Sequence, residues 1–275
     1  MRRLAFTFLF VSPSASAHSG AAWNFELWLI FLLSFAAGLY ATGLKNVWTS
    51  PAVRRHALAF YCGWIALVIA LVSPLDAMAN QLFSAHMVQH EVLMLVAAPL
   101  IVLGKPLAVF TWGLPAAWRS KVARPFQARE WEVFWGGLTA PLTAWSVHAI
   151  VLWVWHAPFL FQASVRNEVV HIFQHSSFFV SALLFWWALL KSRTNSTGAL
   201  YLLTTMIHTG LLGALLTFAP VVLYPIYLAS APDWGLSALE DQQLGGLVMW
   251  VPAGFILLYA GLTFVWRSTE PSRPL

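Results

Sequence analysis

Seven apolar stretches, each long enough to cross a bilayer, most constrain what this chain can become. They run over residues 24–43, 56–73, 80–103, 134–155, 168–190, 199–228 and 244–266. A helix needs about 20 residues to traverse the hydrocarbon core. Backbone groups in lipid must find partners within their own segment, so such stretches fold as helices. The expected fold is all-α: a polytopic integral membrane bundle of seven transmembrane helices. Charge supports this, because 9% charged residues cannot cover a water-facing surface, where about 25% is usual. That excludes an ordinary soluble enzyme, and it reassigns the net charge of +5 from nucleic-acid binding to the membrane. No nucleic-acid partner is expected; the surrounding partner is lipid.

Charge also gives direction. The segments joining stretches one to two, three to four and five to six, with the tail, carry Lys45, Arg54, Arg55, Lys105, Arg119, Lys121, Arg124, Arg129, Lys191, Arg193, Arg267 and Arg273. The opposite connections carry Arg166 against Asp76, Glu168, Asp233, Glu240 and Asp241. The positive-inside rule then sets the amino terminus outside and the carboxyl terminus in the cytoplasm. The opening segment requires the same orientation. Residues 1–17 combine Arg2 and Arg3, a short apolar run and Ala15-Ser16-Ala17, the pattern of a cleaved signal peptide. Residues 18–275 form a single seven-helix transmembrane domain, with His18 as its mature amino terminus. The Lys105–Glu130 connection mixes aromatic and basic residues and reads as an interfacial segment on the anionic inner leaflet.

Within this apolar frame, nine histidines nearly match ten acidic residues. Two motifs read H-x-x-Q-H: His86 to His90 and His171 to His175. On a helix, i and i+4 side chains share a face, with Cβ atoms about 6 Å apart, so each pair can hold one ion. Counted from the outer helix starts at ~1.5 Å per residue, the two pairs lie at overlapping depths in the outer leaflet. His156 sits on the same side, Met94 continues the His86–His90 stripe inward, and only His56 belongs to the inner face. Intramembrane polar groups are costly and mark function. The candidate metal ligands are His86, His90, His171 and His175 as the core, joined by His156, His18, Asp76 and Met94. His148 and His208 read as hydrogen-bonded packing elements. Glu91 lies round the helix from its neighbouring histidines and reads as a partner for another helix. The lone Cys62 excludes disulfides and thiolate metal sites, and reads as a small buried residue. Imidazole and thioether ligands without thiolate point to copper.

Several stretches resemble the CtaG family of multi-span cytochrome c oxidase assembly factors. They are Ser73-Pro74-Leu75-Asp76, Leu82 through His90, Trp155-His156-Ala157-Pro158, Gly213 through Phe218 with Tyr224-Pro225, and Asp241 through Gly246 running to Trp250. Glu91 departs from the family, standing where an apolar residue is expected. The resemblance implies a multi-pass protein of the bacterial inner (plasma) membrane that matures a haem-copper oxidase by delivering copper to its copper centre. Its expected partners are the oxidase catalytic subunit and a periplasmic copper donor. Nothing in the chain presents a nucleophile, a general base or a nucleotide site, so the expected role is not enzymatic. Two alternatives keep the same frame: a copper permease, and a metal-free scaffold for oxidase subunit assembly. A di-iron oxygenase would need histidines on the inner side, and a bis-histidine haem protein would need ligands toward both faces.

Overall fold

The computed structural model describes residues 23–47, 51–191 and 195–269, and every regular element among them is helical. The expected signal segment and His18 lie outside the described residues. In chain order the helices are α1 (Leu27–Val47), α2 (Pro51–Leu71), α3 (Pro74–Ala79), α4 (Phe83–Glu91), α5 (Ala98–Leu103), α6 (Pro106–Gly113), α7 (Ala116–Ala123), α8 (Arg129–Leu138), α9 (Pro141–Trp155), α10 (Pro158–Arg166), α11 (Glu168–Lys191), α12 (Asn195–Thr217) and α13 (Ala238–Thr269). Six continuous helical spans are long and apolar enough to cross a membrane, with α4, a π-helical turn at Val92–Ala97 and α5 forming one of them. A seventh is made if α8 and α9, bent by 58°, count together. The protein is thus a helical membrane protein. Its exposed side chains along these spans are large and apolar, among them Phe31, Phe35, Ile150, Phe255 and Leu262.

Departures from the expected spans sit at prolines. Pro141 disfavours helical backbone at the residue before it, and Ala140 is extended (φ −62°, ψ 138°), so the stretch expected over 134–155 breaks in two. The stretch expected over 199–228 stops as α12 at Thr217, because Pro220 and Pro225 cannot donate to a continuing helix. Residues 218–237 instead fold over that end of the bundle and bury Tyr224 and Tyr227. The π turn has a similar origin. Ala98 N–H donates to Leu93 O, an i→i+5 bond. In that register Met94 O would be served by residue 99, which is Pro99 and has no N–H. Trp186 Nε1–H donates to Met94 O instead, at 2.8 Å.

Two contacts fix the bundle. Helices α12 and α13 cross with no room for side chains: a Cβ on Gly246 would stand 2.7 Å from Gly213 O and 2.6 Å from Thr217 N. At the far end α6 turns back against α1, where a Cβ on Gly113 would collide with Leu39 O. The connection expected to be wholly interfacial therefore divides, with α6 packed on α1 and α7 burying no residue. Cys62, expected to be buried, is exposed, because it lies on the outward face of α2 with the exposed Leu58, Ile65 and Ile69.

The described basic side chains other than Arg166 gather at the end that holds the α1–α2, α5–α6 and α7–α8 connections. The histidine motifs gather toward the other end, built from the start of α4, the close of α9, α10, the start of α11 and residues 218–237.

Candidate metal centre

A buried carboxylate sets the first histidine helix. The N-terminus of α4 has no capping side chain of its own, since Leu82 stands at the cap position. Asp241 of α13 supplies the cap from across the bundle. Its Oδ2 accepts from Phe83 N (2.6 Å), and its Oδ1 accepts from Ser84 N (3.0 Å) and Ser84 Oγ (2.5 Å). An anion at a helix N-terminus satisfies orphan N–H groups and complements the helix dipole. The next residue, Gln242, accepts from Leu223 N and donates to Val221 O, tying residues 218–237 to α13. Tyr224 OH then donates to His156 O at 2.7 Å, and Tyr227 OH donates to Ala79 O at 3.1 Å. Burial pushes both phenols well above their ordinary range, so each keeps its proton to donate.

On this frame α4 and α11 bring their histidine pairs face to face. Ring centroids lie 5.4 Å apart for His86 and His171, 5.5 Å for His86 and His175, and 5.0 Å for His90 and His175. His156, at the end of α9, stands 6.3 Å from His90. Among the described residues, the ligand atoms of His86, His171 and His175 all fall within 4.8 Å of one another. Nitrogens about 2.0–2.1 Å from a tetrahedral ion are roughly 3.4 Å apart, so small side-chain rotations close the triad. His86, His90, His156 and His175 are each at most 8% exposed. Phe161 and Phe178 wall the cluster, at 4.9 Å from His86 and 4.5 Å from His90.

The hydrogen bonds orient these rings. His156 Nδ1 lies 2.7 Å from Leu152 O, and His86 Nδ1 lies 3.3 Å from Ala79 O. A carbonyl only accepts, so Nδ1 carries the proton in both rings and Nε2 keeps a free lone pair. That is the second-shell pattern of metal-binding histidine. The Nε2 atoms of His86, His156, His171 and His175, and both ring nitrogens of His90, are buried without a hydrogen-bond partner in the protein. An unmade hydrogen bond on a buried polar atom costs about 1–3 kcal/mol. Six in one place destabilise the fold unless a ligand takes them up. The donor set is imidazole throughout, which fits a borderline-to-soft ion such as copper.

Asp76 is engaged elsewhere: Asn24 Nδ2 donates to its Oδ2 (3.0 Å) and Gln89 Nε2 donates to its Oδ1 (2.8 Å). It belongs to the wall of a cavity of about 580 Å³ that also exposes Glu26, Asn80, Glu168, His171 and His175. Burial, then the neighbouring Glu168 and Asp76, raise the Glu26 carboxyl above its ordinary value. This acidic cavity reaches the cluster at His171 and His175. Met94 lines a separate, deeper chamber. His208 accepts from Trp153 Nε1 at 3.4 Å, His148 bonds Ser181, and Glu91 Oε2 has no partner. Asp241, Tyr224 and Tyr227 support the cluster. Their motifs are visible in the sequence, but their roles depend on contacts more than 60 residues apart, such as that of Tyr224 with His156.

A family model described as "Cytochrome c oxidase caa3 assembly factor (Caa3_CtaG)" matches residues 38–270. The chain belongs to this family. The matched region contains all five clustered histidines together with Asp241, Tyr224 and Tyr227. An uncharacterized protein of Mycobacterium bovis and one of Mycobacterium tuberculosis are each 28% identical over 94% of this chain and 41% of their own length. An uncharacterized Mycobacterium leprae protein is 26% identical over 74% of this chain and 32% of its own. The chain therefore spans about two fifths or less of the length of these relatives. No solved structure matches it. The family is one of oxidase assembly factors.

Proposed function

We propose that this protein binds copper through His86, His171 and His175, with His90 and His156 completing the cluster, and delivers it to the copper centre of a haem-copper oxidase. One observation carries the reading: six buried imidazole nitrogens converge without hydrogen-bond partners, and the hydrogen bonds of His86 and His156 present Nε2 lone pairs inward. Copper here is cargo. Release calls for ligand exchange, and a triad whose nitrogens still have to draw together before they grip an ion suits moderate affinity.

The basic residues at the opposite end orient the bundle in a bacterial inner membrane with the histidines toward the periplasm. The acidic cavity beside His171 is then the way in from that side, for copper handed over by a periplasmic donor. The client is the oxidase catalytic subunit, which receives the ion sideways within the membrane. In cells carrying His86→Ala with His90→Ala, the oxidase subunit is expected to accumulate with its copper reduced by more than half. Normal copper content in the assembled oxidase would instead favour a metal-free scaffold.

A further inference from the structure

We infer that Met94, Met249 and His148 form a second cation site, for a soft monovalent ion, below the histidine cluster. They line a small chamber of about 20 Å³ together with Glu91, Thr205 and Thr209. A volume of this order holds about one water-sized occupant. Four helical segments contribute: Glu91 and Met94 flank the start of the π turn, His148 comes from α9, the threonines from α12 and Met249 from α13. Both methionines are 3% exposed and His148 is 5% exposed.

The hydrogen bonds leave this chamber with lone pairs and few protons. Ser181 Oγ donates to Phe178 O at 3.0 Å, so toward His148, 3.1 Å away, it accepts. His148 therefore carries its proton on Nδ1 and keeps a lone pair on Nε2. Thr205 Oγ1 donates to Tyr201 O and Thr209 Oγ1 donates to Thr205 O, which directs both hydroxyl protons into α12. Trp186 Nε1–H is taken by Met94 O, which also holds the residue that carries the thioether. Glu91 Oε2 is buried without a partner. Two thioethers and one imidazole select Cu(I) over zinc or magnesium.

The position makes the chamber a second station. Met94 follows His90 by one helical turn, about 6 Å along the axis. Leu152, whose carbonyl orients His156, also lines the chamber. The site is separate from the histidine triad, although its ion would be the copper of the proposed function.

Copper-edge X-ray absorption on purified protein loaded with Cu(I) tests this. Cys62→Ser serves as the background, because that thiol is exposed. The expected result is two ions per chain and a sulfur scatterer at about 2.3 Å. Met94→Leu with Met249→Leu, which nearly conserves volume, should remove the sulfur signal and one ion while the nitrogen-ligated ion stays. His86→Ala with His90→Ala should do the reverse. Loaded protein without sulfur scattering, or sulfur that persists in the double leucine variant, overturns the second site. Protein that retains no copper in any form overturns the histidine reading as well.

Discussion

The two ends of the bundle treat buried polar groups in opposite ways. At the basic end Tyr40 and several half-exposed side chains pair within the protein, although Trp187 Nε1 is buried without a partner. Tyr40 OH donates to Gly104 O at 2.7 Å while its ring stacks on Phe60 at 3.7 Å, and His56 Nδ1 lies 2.7 Å from Leu103 O. Asn46 and Arg119 donate to the carbonyl of Trp112. At the histidine end the frame is equally well paired, through Asp241, Tyr224 and Tyr227, yet the five rings it holds present unpartnered nitrogens to one another. The contrast lies within a single chain, so the fold clearly has the means to pair its polar groups. Single unpaired buried atoms occur at Glu91, Trp187 and His208, but six nitrogens on five converging rings are concentrated at the histidine cluster, the pattern expected where stability is given up for function.

The contrast can be strained from either side. Asp241→Ala removes the acceptor for two α4 N–H groups and the Ser84 hydroxyl. It should lower stability by about 3 kcal/mol, on the scale of hydrogen bonds to a charged group. Thermal unfolding in detergent checks this, and copper retention should fall with it because α4 loses its anchor. Tyr40→Phe leaves Gly104 O buried and unpaired at the other end. It should cost about 1 kcal/mol and leave copper retention unchanged. Equal effects of these two variants on retention would erase the distinction between the ends. The smallest effect belongs to the acidic cavity. Glu26→Gln with Glu168→Gln should slow copper loading by a few-fold, roughly 3-fold at low salt, through weaker steering. The difference should vanish near 1 M salt, where the Debye length is about 3 Å. Stopped-flow loading measures both.

What the sequence made legible was short-range. The i, i+4 spacing of His86 with His90 and of His171 with His175 already required two pairs, each on one helix face, and the structure brings those faces together. Apolar length alone was enough for an all-helical membrane chain, though it carried the stretch over 134–155 through the Ala140 break and the stretch over 199–228 past Thr217. Pro141, Pro220 and Pro225 were the local signals for both departures. Other features were not legible, because their causes lie far away in the chain. Asp241 caps a helix that begins 158 residues earlier. The Met94 carbonyl that the π turn frees is served by Trp186, 92 residues further on. Glu91 did not find the helix partner its position suggested. Its Oε2 has no partner, and it lines the deeper chamber. Met94, one turn beyond His90, lines that same chamber.

Copper retained per chain tests the central claim most directly. Wild type, His86→Ala with His90→Ala, and His56→Ala are each loaded with Cu(I) and then washed against a competing chelator of graded strength. Loss of two imidazoles should weaken the histidine-bound ion by at least about 10³-fold, or ~4 kcal/mol, while His56→Ala, at the paired end, retains as much as wild type. Retention unchanged in the double variant, or equally lost in His56→Ala, would contradict the account.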